Sequence, residues 1–407
     1  MLKRKFAKHV KVGRLIVRGL ADSDLAFGEI APDRPHLDVT IRVQGRWNAW
    51  KIALFPDPCL GEAYMNGTLT IERGSLRDFM EICFLNFRNT APAPRRGWAL
   101  RTLLHCKRVL QQWNSRRIAR RNVARHYDLS GELYSLFLDA DRQYSCAYFE
   151  HPDASLDQAQ QAKKEHILAK LLLKPGHRVL DIGSGWGGLA LTLASRGGAH
   201  VTGVTLSREQ LAVARERALA AGLDDRVGFE LQDYRDLDGK FDRIVSVGMF
   251  EHVGTPQYQT FFDTVARLLS EDGVALLHSI GRMDEPGTAS AWIDKYIFPG
   301  GYVPALSEVL PAIERTGMWV TDVEILRLHY ARTLRQWQIR FAENRAAVAK
   351  LYDETFCRMW EFYLIISEMS FYYDGLMVFQ IQLAKHVDTL PITRDYMYGD
   401  SIGTKDG

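Results

Sequence analysis

Residues 179–188 read VLDIGSGWGG, an apolar run that reaches Asp181 and then turns through Gly183, Gly185, Gly187 and Gly188. Glycine adopts turn dihedrals closed to other residues and lets a ligand approach the main chain. A helix that begins there presents its unpaired N–H groups at the same point. The stretch therefore predicts a strand, a tight turn and a helix N-terminus, and with them a nucleotide-cofactor cradle near the centre of an α/β chain.

Glycine spacing alone leaves the nucleotide open, because Gly183, Gly185 and Gly188 also fit the dinucleotide pattern G-x-G-x-x-G. A dinucleotide fold places an acid about 20 positions beyond its glycines to hold ribose hydroxyls. No Asp or Glu occurs between Asp181 and Glu209. The next apolar run, HVTGVTL at 200–206, leads instead into Thr205, Leu206 and Ser207, with Gln210 one turn into the following helix. An acid before the glycines and neutral hydrogen-bonding groups after the second strand suit S-adenosylmethionine better than a pyrophosphate.

Further strand-like runs place the cradle in a sheet. Segments 178–183, 200–206, 227–233, 241–247, 273–280, 319–328 and 376–384 read as strands, with amphipathic helices between most of them. This pattern predicts an α/β fold, a doubly wound Rossmann-like sheet of seven strands of the methyltransferase kind, which binds ligands outside the carboxyl ends of its strands. The residues at those ends are Asp233 to Arg235, Gly248 to Val253, His278 to Gly281, and His329 with Tyr330. Between 282 and 304 the alternation breaks, and Trp292, Tyr296, Phe298 and Tyr302 surround the turn Pro299, Gly300, Gly301, a candidate wall for an apolar substrate.

The 407 residues, 46% of them hydrophobic, suffice for more than one core. Leu15 to Val17 and the alternating Val39, Ile41, Val43 read as strands, and Leu76, Phe79, Met80, Cys83 and Phe84 share a helix face that Ser75 can cap. The expected organisation is a small N-terminal α+β domain over 1–93, a basic linker helix over 94–123 and a catalytic domain over 124–407. Cys59, Cys83, Cys106, Cys146 and Cys357 are odd in number and not in metal-ligand pairs, which predicts a reducing cytoplasm and no metal site. Lys8, His9 and Lys11 interrupt any signal-like stretch after the basic start, and no apolar run reaches membrane-spanning length.

A net charge of only +3 conceals a local excess. From Arg95 to Arg125 the chain holds ten Lys and Arg and no acid, interleaved with Trp98, Leu100, Leu103, Leu104, Val109, Leu110 and Trp113. Such a segment can lie along an anionic bilayer with tryptophans at headgroup level. Nucleic acid is the rival partner for it, and a solvated interdomain helix is the plain alternative.

From about Ala124 to Lys385 the chain resembles the cyclopropane-fatty-acyl-phospholipid synthases, a family that includes the mycolic acid cyclopropane synthases. The resemblance rests on HYDLSGELY at 126–134, YSCAYF at 144–149, VLDIGSGWGG, TLSREQ at 205–210, LQDYRDL at 231–237, MFEHVG at 249–254, LHSIG at 277–281 and YARTLRQW at 330–337. A fainter likeness around LGEAYMNG at 60–67 reaches the first domain, where the family has a small lipid-binding module.

Several expectations follow from the resemblance. Family members move the methyl carbon of S-adenosylmethionine onto a cis double bond of a phospholipid acyl chain in the membrane, and a bound bicarbonate takes the proton that closes the ring. Glu251, His278 and Tyr330 would hold that ion through side chains, Cys146 and Ile280 through the backbone. Tyr144 and Ser145 would meet the methionine end of the cofactor together with the turn that carries Asp181, Gly183, Gly185, Trp186 and Gly187. Thr205 and Gln210 would meet the ribose, and Asp233, Tyr234 and Arg235 the adenine. A carboxylate repels bicarbonate unless a proton lies between them, which His278 or the ion's own hydroxyl could supply. One departure stands out: the family commonly has a cysteine in a late YL-x-x-C run, and here YLIIS places Ser367 there, followed by Glu368. The expected protein is a peripheral enzyme at the cytoplasmic face of the membrane, with unsaturated phospholipids and an anionic surface as partners, a homodimer as an open arrangement and no nucleic acid. A methyl- or methylene-branching methyltransferase acting on the same lipids is the alternative.

Overall fold

Among the described residues, seven of eleven strands form one sheet, in the order β10-β11-β9-β8-β5-β6-β7. They are β5 (Arg178–Ile182), β6 (His200–Thr205), β7 (Val227–Leu231), β8 (Phe241–Val247), β9 (Leu269–Arg282), β10 (Trp319–Ile325) and β11 (Leu376–Ala384). The computed structural model describes residues 9–20, 23–87 and 130–398. The basic segment from Arg95 to Arg125, the linker helix expected over 94–123 and the first four residues of the 126–134 motif lie outside the described residues. Among the described residues no helix is long and apolar enough to cross a membrane.

The described chain forms two compact units, both discontinuous in sequence. One comprises the described residues up to 87 with 288–299 and 334–376; the other comprises 130–287, 300–333 and 377–398. The larger unit holds the seven-stranded sheet. Its strands β7, β6, β5, β8 and β9 run parallel, while β10 is antiparallel to β11. The central strands are covered on both faces, so residues 179–182 of β5 and 243–246 of β8 are buried without a break, whereas the edge strand β7 exposes Gly228, Glu230 and Leu231. One face packs on the helices Tyr258–Leu268 and Leu306–Glu314 through Phe261, Phe262, Val265, Val309 and Ile313. The other packs on Leu156–Lys170, Gly188–Gly197 and Arg208–Ala220 through Ile167, Leu193, Ala194 and Ala214. All seven expected strands are present, and β9 is longer than its reading because Leu269 to Asp272 continue the extended chain against the start of β8, with a register shift between Phe241 and Arg243.

The smaller unit has a four-stranded sheet in the order β2-β1-β3-β4, formed by β1 (Arg14–Arg18), β2 (Leu25–Phe27), β3 (Asp38–Val43) and β4 (Leu69–Arg73). Its helix Leu76–Phe87 starts as the sequence suggests. Ser75 Oγ accepts from Asp78 N at 3.1 Å, and the Asp78 carboxylate accepts from Ser75 N at 3.0 Å, a reciprocal capping box. Trp292 belongs to this unit, buried against Tyr296 and Phe362, and its helix Ala291–Tyr296 is capped from afar by the Asp57 carboxylate. Ser367 and Glu368 fall in the helix Glu354–Tyr373 of the same unit, with Glu368 fully buried between Arg77 and Gln338.

Candidate active site

At the carboxyl end of β5 the chain turns toward β6, and Gly183 N and Ser184 N both donate to Val204 O, at 2.9 and 3.0 Å. The glycines of the turn divide the work. Gly187 caps the helix Gly188–Gly197 at φ 83, and a Cβ there would lie 2.8 Å from Phe229 Cζ and 3.0 Å from Ala214 Cβ. Gly185, at φ 53, has nothing within 4 Å of a Cβ position, so its main chain faces open space on the ligand side.

That open space is a cavity at the carboxyl ends of the strands. Of the cofactor residues expected from sequence, Tyr144, Ser145, Asp181, Gly183, Gly185, Trp186, Thr205, Gln210, Asp233, Tyr234 and Arg235 line it. Gly187 does not, because its position is filled by Phe229 and Ala214. Sequence reasoning did not assign Ser184, Gly248, Met249 and His252 to the cofactor wall, although the last three follow the fourth strand of the reading, where ligands are expected.

The cavity's polar groups differ in availability. Asp181 is 2% exposed, its Oδ2 has no hydrogen-bond partner, and burial pushes its carboxyl up to about 7. Ser184 Oγ is also buried without a partner. Thr205 Oγ1 donates to Gln210 Oε1 at 3.0 Å, which leaves the Gln210 amide N–H groups as donors. The Asp233 carboxylate is already engaged by Arg235, at 2.8 and 2.6 Å, and the Tyr234 ring packs edge-on against Phe261. One wall is aromatic: Tyr144 and Trp186 lie 5.3 and 5.8 Å from Tyr134, centroid to centroid, and Arg142 stands over the Trp186 ring.

Lys163 is the residue that sequence reasoning missed. It is fully buried on the helix Leu156–Lys170, and its Nζ donates to Ser145 Oγ at 2.8 Å and Gln143 Oε1 at 2.6 Å. From the same helix face Gln160 Nε2 donates to Ser145 O at 3.0 Å. Together they pin the segment that carries Tyr144, Ser145 and Cys146. Burial lowers the Lys163 ammonium to about 8, and its charge acts on Asp181, Cys146 and His278.

The residues expected around the base form a second group, none of which lines the cavity. Glu251 Oε1 accepts from Ile280 N at 2.7 Å, while Oε2 is buried without a partner. Two residues back along β9, on the same strand face as Ile280, stands His278. Gln380 Nε2 donates to His278 Nδ1 at 3.1 Å, which leaves the imidazole proton on Nε2. The His278 carbonyl accepts from Gly248 N at 2.9 Å, and a Cβ on Gly248 would lie 3.7 Å from Ser145 Cβ, so the Cys146 segment adjoins this strand end. Ala147 N donates to Thr333 Oγ1 at 3.0 Å and Phe149 N to His329 Nδ1 at 2.9 Å, tying that segment to the helix turn that carries the buried Tyr330.

Charge in this group differs from the sequence expectation. Burial pushes the Glu251 carboxyl up to about 7 and His278 down to about 3. Near neutrality Glu251 itself can hold the proton, and His278 is a neutral imidazole. Burial also pushes the Cys146 thiol up, so it stays protonated and serves as packing.

A glycine turn between β5 and its helix, an unpaired acid at the strand end and an aromatic wall suited to a sulfonium cation define an S-adenosylmethionine-dependent methyltransferase. The family model for mycolic acid cyclopropane synthetase matches residues 114–381, and the chain belongs to that family. It is 40% identical over 329 residues to the cyclopropane-fatty-acyl-phospholipid synthase of Escherichia coli K12, covering 81% of this chain and 83% of that one. It is 38% identical over 357 residues to a probable fatty acid methyltransferase of Pseudomonas putida, covering 83% and 86%. Among solved structures, mycolic acid cyclopropane synthase CmaA1 complexed with SAH and CTAB superposes with TM-score 0.62 at 35% identity, over 65% of this chain and 97% of that one.

Proposed function

We propose that the protein adds the methyl carbon of S-adenosylmethionine across the cis double bond of an unsaturated phospholipid acyl chain, giving a cyclopropane, with bound bicarbonate as base, at the cytoplasmic face of the membrane. When bound, the cofactor supplies an electrophilic methyl carbon and bicarbonate supplies a proton acceptor in a dry site. The residues present fit both groups. The Asp181 carboxyl and Ser184 hydroxyl are unpaired and aimed at the cavity edge, Gly185 leaves its main chain open, and the tyrosine and tryptophan wall favours positive charge. For the anion, Glu251 offers an unpartnered carboxyl oxygen that holds a proton near pH 7, and His278 offers a neutral N–H.

Each residue then has a role. Lys163 and Gln160 fix the irregular segment 143–147 and keep a positive charge behind it. Glu251 is held by Ile280 N and can donate to an anion instead of repelling it. Gln380 orients His278, and Thr333 aligns the Cys146 backbone with the turn that bears Tyr330.

The observation that carries the reading is Glu251: a buried acid with Oε1 held by Ile280 N and Oε2 without a hydrogen-bond partner, one strand end away from the cradle. The test is proton NMR of phospholipids incubated with the enzyme and S-adenosylmethionine, with and without carbonate-free buffer. Upfield ring protons that vanish without bicarbonate and return on its addition are expected. A vinylic methylene or methyl-branch signal instead would overturn the ring in favour of the branching alternative, and product formed equally without bicarbonate would overturn the base.

A further inference from the structure

The helix Arg46–Leu54 of the smaller unit is built inside out. Trp47, Trp50 and Leu54 recur at i, i+3 and i+7, the spacing by which a helix buries a stripe against a core. Here the stripe faces solvent: Trp47 is 71% exposed, Trp50 43%, Leu54 58% and the adjoining Phe55 65%. The opposite face, which does the packing, is made of Ala49, Ile52 and Ala53, each only partly buried, and no residue of the helix is buried. Arg46 and Lys51 flank the stripe and no acid lies between residues 44 and 56; the Glu62 carboxylate, which feels the Lys51 charge, is itself ion-paired with Lys295 at 2.7 Å. Lys51 Nζ instead stands 5.7 Å over the Trp47 ring.

We propose that this face is a membrane-docking element that seats Trp47, Trp50, Leu54 and Phe55 at the headgroup–acyl boundary of an anionic bilayer, with Arg46 and Lys51 on lipid phosphates. The proposal rests on the lipid reading above and adds where the surface is met. Two tryptophans and two cations on one short face match an interface that is apolar below and negatively charged above. Large side chains left in water cost free energy that a bilayer returns.

The test uses full-length protein and sedimentation with vesicles of dioleoyl phosphatidylglycerol and phosphatidylethanolamine. The variant Trp47→Ala/Trp50→Ala/Leu54→Ser should lose vesicle partition by at least roughly tenfold, since each large apolar side chain withdrawn from water contributes on that order. It should keep its melting temperature and its turnover of detergent-dispersed phospholipid, which is processed without docking. Arg46→Glu/Lys51→Glu should lose binding to these vesicles while binding dioleoyl phosphatidylcholine as the parent does. Equal vesicle binding by parent and triple variant overturns the proposal, as does a parent dimer that the triple variant dissolves with vesicle binding unchanged. A parent that ignores vesicles but converts detergent-dispersed lipid overturns the docking face alone; one that does neither overturns the lipid reading as well.

Discussion

Replacing Asp181 by asparagine should remove a pH-dependent loss of stability that the ligand-free protein otherwise suffers between pH 5 and 8. The side chain sits at the end of β5, 2% exposed, with Oδ2 unpaired, and burial raises its carboxyl from 3.8 to about 7. In the unfolded chain the group ionises at its ordinary value. Between pH 4 and 7 the folded state therefore binds more protons than the unfolded state, so stability falls as pH rises, and the fall stops once both states are ionised above pH 7. At about 1.4 kcal/mol per pH unit, the gap between 3.8 and about 7 amounts to about 4 kcal/mol, of which roughly 2 to 3 is lost between pH 5 and 8. Asparagine keeps the shape and cannot ionise. Urea titrations of parent and Asp181→Asn at each pH unit from 5 to 8 should give curves that diverge with rising pH, the variant becoming the more stable. Parallel curves would refute the reasoning, because they would mean that the carboxylate is solvated or paired. The difference between the two proteins is the quantity to read, since Glu251 contributes a slope of the same sign to both.

Other perturbations follow from the same geometry. Binding of S-adenosylhomocysteine, whose amino-acid end carries an ammonium, should favour ionised Asp181; affinity should rise up to roughly tenfold per pH unit below pH 7 and level off above it, with proton release detectable by calorimetry in two buffers and absent in Asp181→Asn. Lys163→Met deprives Ser145 Oγ and Gln143 Oε1 of their donor, and each buried group left unpaired costs about 1–3 kcal/mol; with the ammonium gone, the pH at which the Asp181 difference levels off should move upward. Gly187→Ala forces φ 83 on a Cβ that meets Phe229 and should cost at least about 1–3 kcal/mol by thermal melt, whereas Gly222→Ala, at φ 62 in open space, should cost only about 1. Glu251→Gln keeps an acceptor for Ile280 N, so the fold should survive and gain stability at pH 8, while ring formation should fall by roughly 100-fold because the amide cannot exchange a proton.

The sheet was legible because its central parallel strands are buried on both faces and so spell short apolar runs between amphipathic helices, while the edge strands β7 and β10 keep enough apolar residues to read as strands. The cradle was legible for a local reason too, since a strand, glycines and a helix start are contiguous in the chain. What escaped was long-range. Lys163 lies in the run QQAKKEHILAK, where lysine reads as solvated, yet Lys163, Lys164 and Lys170 are all buried. Lys164 meets Asp141 at 2.6 Å and Lys170 meets Asp322 at 3.4 Å, partners 23 and 152 positions away. In the aromatic stretch after β9, Trp292 packs on Phe362 in the smaller unit and Asp57 caps its helix from 235 positions away, contacts that no local pattern announces. In the helix Arg46–Leu54 the periodicity is that of a core stripe, and only the fold shows that it points outward.

Burial moves both acids of the site the same way, toward neutrality. Asp181 and Glu251 both hold their protons to about pH 7, so neither presents a fixed negative charge, and the buried Lys163 ammonium acts on Asp181. A cation entering the cavity favours the ionised form of Asp181 and draws its proton off; an anion beside Glu251 favours the protonated form and keeps it. A site built with two permanent carboxylates would hold the sulfonium and expel the base, and one built with two neutral amides would do the reverse. On the proposed reading, two acids balanced near neutrality would admit both ligands, each in the protonation state its ligand selects. His278 belongs to the same arrangement: burial holds it as a neutral imidazole, so it adds no second positive charge beside the Lys163 ammonium that acts on it.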